Sequence, residues 1–184
     1  MIDKKEANYL LKKYLQDDKL LKHSLSVEAI MKKLAIYLRK NEELWGLVGL
    51  LHDIDYEYTI GKPENHGLLS GKILDGLLPI NAINAIKAHN YIHTEQLPIS
   101  TIDKALIASD ALSGLIIASA LVMPSKSLKE VRLQTLKKKF KDTNFAKGCN
   151  REKIKLCDDI GISVNDFLKL GLQSLKEISS VLGL

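Results

Sequence analysis

Asn41-Glu42-Glu43-Leu44-Trp45-Gly46-Leu47-Val48-Gly49-Leu50-Leu51-His52-Asp53 is the stretch on which the fold turns. Asn41 can cap a helix through its side-chain oxygen, and Glu42 and Glu43 suit the positive end of the helix dipole. Leu44 to Leu51 carry no ionisable side chain. A helix apolar on nearly every side must lie in the middle of a core. It ends in His52-Asp53, so both polar side chains emerge at the edge of that core. An unpaired polar group there costs on the order of 1–3 kcal/mol, so each needs a partner.

Outward from this segment the pattern is helical throughout. Asp3 can cap a first helix to about Gln16, with Tyr9, Leu10, Tyr14 and Leu15 as its stripe. Asp17-Asp18 opens a longer helix to about Lys40, with Leu21, Leu25, Ala29 and Leu34 on one face. Downstream, Tyr56 to Pro63 reads as a loop, Glu64 to about Leu77 and Pro79 to about Asn90 as helices, and Thr94 to Ile99 as a loop. Ser100-Thr101-Ile102-Asp103 has the form of a capping box and starts a buried helix to Val122, stopped by Pro124. Three more amphipathic segments follow: Leu128–Phe140, Arg151–Asp159, and one capped by Ser163 that reaches Leu182. No segment alternates as a strand. The expectation is an all-α bundle of seven to nine helices in a single domain over residues 1–184.

Composition agrees. The chain has 184 residues, 46% hydrophobic and 27% charged, with 5% aromatic residues and only 4 Pro and 11 Gly. That is enough for one domain with a real core, too ordered for a disordered chain, and too poor in turn residues for an all-β fold. The net charge is +5, but the lysines recur at helical spacing with few aromatics between them, as on solvated helix faces; this argues against nucleic acid as partner. Cys149 and Cys157 have no third or fourth cysteine to pair with and fit a reducing compartment. Met1-Ile2-Asp3-Lys4-Lys5-Glu6 lacks the apolar core of a signal peptide. Leu106 to Met123 approaches membrane-spanning length but contains Asp110, which would cost about 3 kcal/mol in lipid. A soluble cytoplasmic protein is expected.

The five histidines are His23, His52, His66, His89 and His93. Four of them, with Asp53 and Asp110, fall at core-proximal positions on five separate helices. Divalent metal ions gather such groups, because neutral imidazole and ionised carboxylate are their ordinary ligands. Each residue has a structural rival: His52 and Asp53 as a hydrogen-bonded pair tying helices together, His66 in Glu64-Asn65-His66-Gly67 as a cap.

The ordered pattern His23 … His52-Asp53 … His66 … His89 … Asp110, with gaps of 29, 13, 23 and 21 residues, resembles the HD-domain superfamily of metal-dependent phosphohydrolases in its six-ligand, two-metal form. The motif core spans Lys19 to Leu121, with the helices of residues 127–184 expected to pack on it. Ser109-Asp110-Ala111-Leu112-Ser113-Gly114-Leu115 and Pro124-Ser125-Lys126-Ser127-Leu128 also look like small bacterial HD hydrolases. The resemblance implies that His23, His52, Asp53 and Asp110 hold one metal, and that Asp53 bridges to a second held also by His66 and His89. Two dications ~3.5–4 Å apart need negative charge between them. The metals would be one or two divalent ions, Fe, Mn, Zn, Mg, Co or Ni. The implied activity is cleavage of a phosphate ester or anhydride of a small molecule, a nucleotide among the candidates, by a metal-activated hydroxide.

Further roles are expected beside these. Asp55 and Glu57 are candidates for orienting water or protonating a leaving group. Lys62, Lys126 and His93 are candidates for holding an anionic substrate; Lys104, six residues before Asp110, points elsewhere on its helix. The run Lys137-Lys138-Lys139-Phe140-Lys141 reads as a solvated face, with attraction of an anionic substrate as the alternative. Ile54-Asp55-Tyr56-Glu57 lacks the Gly-Lys and Gly-Tyr-Pro signatures of the cyclic-dinucleotide branch. The expected partner is a small phosphorylated substrate with no membrane, and a homodimer is compatible with the chain. Two alternatives stay open: a di-iron oxygenase of the HD type with the same ligands, and a non-enzymatic metal-containing module that binds a nucleotide or a protein.

Overall fold

Asp3 accepts a hydrogen bond from the Glu6 amide while Glu6 reaches back to the Asp3 amide, a reciprocal cap that starts α1 (Lys4–Tyr14). In this computed structural model, which describes residues 1–184, the chain continues through α2 (Asp18–Tyr37), α3 (Glu42–Leu51), α4 (Tyr56–Thr59), α5 (Leu68–Ile73) and α6 (Ile80–Ala88). It then forms α7 (Tyr91–Thr94), α8 (Thr101–Leu121), α9 (Leu133–Lys141), α10 (Arg151–Lys155), α11 (Val164–Glu177) and α12 (Ser179–Leu182). Short 3₁₀ turns occupy Pro63–Asn65, Leu128–Glu130 and Asp158–Ile160. The fold is all-α.

α8 is the hub. Its Ser100/Asp103 capping box forms as the sequence predicts, and it packs against α2, α3, α6, α9, α10 and α11. It is long and apolar enough to cross a membrane, yet 14 of its 21 residues are buried inside the protein. α3 is the second core helix, buried from Trp45 to Leu51. It crosses α2 closely because it presents glycines: a Cβ on Gly49 would lie 2.9 Å from the Glu28 Cα. One turn past that crossing the chain reaches His52, and five residues before Glu28 on α2 is His23, so the two rings end 5.2 Å apart.

The expected helix over Glu64–Leu77 is much shorter. His66 and Gly67 interrupt it, and Gly67 takes a φ of +87°, a conformation that favours glycine. α5 begins only after that kink. The expected loop Tyr56–Pro63 contains the single turn α4, and the Leu128–Phe140 and Arg151–Asp159 segments each break into a 3₁₀ turn and a helix. Ser163 caps α11 as predicted, and α12 is a separate turn after Ile178. The C-terminal helices pack on the core through α8 and α2.

Candidate metal centre

Five elements deliver the six ligand-type side chains. His23 comes from α2, His52 and Asp53 from the end of α3, His66 from the kink before α5, His89 from the end of α6, and Asp110 from mid-α8. They converge on one carboxylate. Asp53 Oδ1 lies 3.2 Å from His52 Nε2, 3.3 Å from His66 Nε2 and 3.2 Å from His89 Nε2. Asp53 Oδ2 faces His23 Nε2 at 3.6 Å, and Asp110 Oδ1 lies 3.1 Å from that same nitrogen.

The other nitrogen of each ring is already committed. His52 Nδ1 donates to the Gly49 carbonyl at 2.9 Å and His89 Nδ1 to the Ile86 carbonyl at 2.5 Å. His66 Nδ1 donates to Asp55 Oδ1 at 2.8 Å. The Ser113 hydroxyl donates to the Asp110 carbonyl, so at 3.2 Å it accepts from His23 Nδ1. A carbonyl or carboxylate can only accept, so all four Nδ1 atoms carry hydrogen. With Nδ1 committed, each ring turns its Nε2 inward, at carboxylate oxygens and at other imidazoles, and offers a lone pair there whenever it is neutral.

With all four rings neutral, that arrangement would set lone pair against lone pair. His66 Nε2 and His89 Nε2 sit 2.9 Å apart, and His52 Nε2 is buried with no hydrogen-bond partner. Protons or metal ions must sit among these acceptors. The donors divide into two groups sharing Asp53: His23, His52 and Asp53, and Asp53, His66 and His89. Either group has the mixed imidazole and carboxylate chemistry of a borderline divalent metal. The residues fit a metal.

Protonation follows the same logic. Burial pushes His23 down, but its hydrogen bond to Asp110 and the charges of Asp110 and Asp53 outweigh it and raise its pKa to about 9. For His66 burial is likewise outweighed by Asp53 and Asp55, raising it to about 10. His52, fully buried, is pushed down to about 4. Burial opposes ionisation of Asp53 and Asp110, yet the surrounding imidazoles hold Asp53 well below the usual carboxylate range and Asp110 at about 2. The carboxylates are ionised.

The centre floors a cavity of about 320 Å³, whose walls also include Leu20, Tyr56, Asn90 and Lys153. The Tyr56 ring stands edge-on to His66, centroids 5.3 Å apart. Asn90 Nδ2 donates to the Pro63 carbonyl at 2.7 Å and the His66 carbonyl at 3.1 Å, fixing the turn that carries His66.

The structure places several of the other expected residues away from the cavity. Asp55 is fully buried and is not a cavity wall: Oδ1 holds His66, and Oδ2 accepts from the Gly67 and Ser70 amides at 2.8 Å each. It orients a ring rather than a water. Glu57 Oε1 accepts from the Gln16 and Asp17 amides, both at 2.8 Å, and so clasps the start of α2. His93, Lys62 and Lys126 are exposed and lie outside the cavity walls. Lys104 pairs with Asp159 at 2.8 Å. Lys153, Tyr56 and Asn90 also line the cavity and are not among the residues the sequence singles out. The adjacency of Asn90 to His89 was the one available cue; Lys153, in a short C-terminal helix, offers none.

These features define an all-helical protein with a buried cluster of histidines and aspartates suited to metal. A family model described as the HD domain matches residues 20–115. The chain belongs to the HD-domain family, whose members are mostly metal-dependent phosphohydrolases. No curated protein and no solved structure gives a significant match.

Proposed function

We propose that this protein is a two-metal phosphohydrolase that cleaves a phosphate ester or anhydride of a small molecule, nucleotides being the first class to test. One observation carries the reading: four imidazoles, each locked at Nδ1, turn their Nε2 atoms toward the single carboxylate of Asp53. His23, His52, Asp53 and Asp110 would hold one ion, and Asp53, His66 and His89 the other. Four nitrogen and two carboxylate ligands suit Fe, Mn, Co, Ni or Zn better than Mg.

When bound, such a pair supplies Lewis acidity to phosphate oxygens and lowers the pKa of water toward neutrality. The chain's own contribution is orientation and charge. Asp53 places negative charge between the two ligand groups. The carbonyls of Gly49 and Ile86 and the carboxylate of Asp55 fix the tautomer and tilt of three rings, as outer partners of metal ligands commonly do. The two free cysteines support a reducing, cytoplasmic setting.

The test is elemental analysis of natively purified protein, paired with an anaerobic phosphate-release screen over nucleotides and sugar phosphates. Stoichiometric transition metal and metal-dependent phosphate release are expected. Oxygen consumption without phosphate release would replace this reading with the di-iron oxygenase.

A further inference from the structure

Positive charge on this chain is concentrated in one segment. Residues 126–155 carry eleven basic and three acidic side chains, whereas the rest of the chain carries sixteen basic and nineteen acidic. The segment is tied down beside the metal centre. The Arg151 guanidinium donates to the carbonyls of Lys139, Phe140, Asp142, Phe145, Ala146 and Cys149, closing the end of α9 and the following loop around itself. The Cys149 sulfur packs on Gly114, one turn beyond Asp110, where a Cβ would approach it to 3.0 Å. Ile154 is buried in the core. With α10 held on both sides, Lys153 is left half-buried in the wall of the cavity that the ligand cluster floors. It makes no ion pair, while the neighbouring Glu152 is taken by Lys155 at 2.8 Å.

We propose that Lys153 is a substrate-binding residue for a second anionic group, and that the substrate class is a phosphoanhydride: a nucleoside di- or triphosphate or another condensed phosphate. The inference rests on the phosphohydrolase reading and deepens it. A metal pair held at Asp53 would neutralise one phosphoryl group, and a separate ammonium in the same cavity calls for a second. The remaining basic residues of the segment add to the positive field that polyanions feel over about 10 Å at moderate ionic strength.

The experiment is calorimetric titration of inorganic pyrophosphate and of orthophosphate into the metal-loaded protein, its Lys153→Ala and Lys153→Arg variants, and Lys104→Ala as a charge control outside the cavity. Metal content and thermal midpoint are measured alongside. The wild type is expected to prefer pyrophosphate. Lys153→Ala should weaken pyrophosphate about tenfold, the value of one charged hydrogen bond, with orthophosphate, metal content and midpoint little changed. Lys153→Arg should recover part of the loss and Lys104→Ala should show none. Wild-type pyrophosphate affinity in Lys153→Ala overturns the inference and leaves the hydrolase reading standing. Failure of the metal-loaded wild type to bind either anion overturns both.

Discussion

Asp53 and Asp55 are two residues apart and have opposite duties. Asp53 Oδ1 stands 3.2–3.3 Å from three imidazole nitrogens, so Asp53→Ala removes the one charge that both ligand groups share. Metal content should collapse, and phosphate release should fall by at least about a hundredfold; retained turnover would end the two-metal reading. Asp55→Asn is subtler. The amide oxygen can still accept from one partner, but its NH₂ then faces an N–H donor that had been satisfied. Affinity for one of two metal equivalents should drop by about 10–100-fold, read in a competitive metal titration, while the other equivalent binds as before. The six ligand-type residues were legible in the sequence because chemistry restricts them: histidines are few, and four of them are interspersed with Asp53 and Asp110 along a mostly apolar helical pattern. Asp55 was legible as important and misread in role, since its partners, the amides of Gly67 and Ser70, exist only after the chain kinks at residue 67. Lys153 was illegible, as no local pattern links it to residues more than forty positions away.

At the scale of elements, the α2–α3 crossing sets the distance between His23 and His52. Two glycines on α3 line it, and their surroundings differ. A Cβ on Gly49 would meet backbone, the Glu28 Cα at 2.9 Å and N at 3.0 Å; on Gly46 it would meet the Lys32 side chain, Cγ at 2.8 Å. Backbone cannot swing aside, whereas a lysine chain can. Gly49→Ala should therefore destabilise by about 1–3 kcal/mol and reduce metal content by displacing His52. Gly46→Ala should be near neutral, because the helix propensity gained by replacing glycine, about 1 kcal/mol, offsets a small side-chain shift. Urea midpoints of the two variants decide the matter: equal effects would mean that the crossing does not limit the site. Long helices were read well, α8 with its cap and α11 with Ser163, because periodicity and capping are local signals. Short breaks were not. The kink at Gly67 and the 3₁₀ turns after Ser127 and Cys157 are fixed by contacts with distant elements, which periodicity does not contain.

For the whole molecule, the cluster couples folding to protons and, on the proposed reading, to metal. Without metal, His23 and His66 have folded pKa values raised to about 9 and about 10, above the ~6.5 of an unfolded histidine. A raised value means the folded state binds the proton more tightly. That stability is complete below about pH 6.5 and is lost progressively as pH climbs through 9 to 10. His52 acts in the other direction: depressed to about 4, it favours the folded state above about pH 6.5 and withdraws that support as pH falls toward 4. Chelated protein should thus melt highest near pH 6.5 and lose midpoint on both sides. A divalent ion held at the proposed centre would replace the protons of His23 and His66, since a metal binds the deprotonated ring. Metal-loaded protein should hold its midpoint through pH 9.5, and adding metal to chelator-free apoprotein at pH 8 in weak buffer should release protons that a pH electrode detects. Identical alkaline melting curves with and without metal, or no proton release, would show that those imidazoles are not where the cation binds.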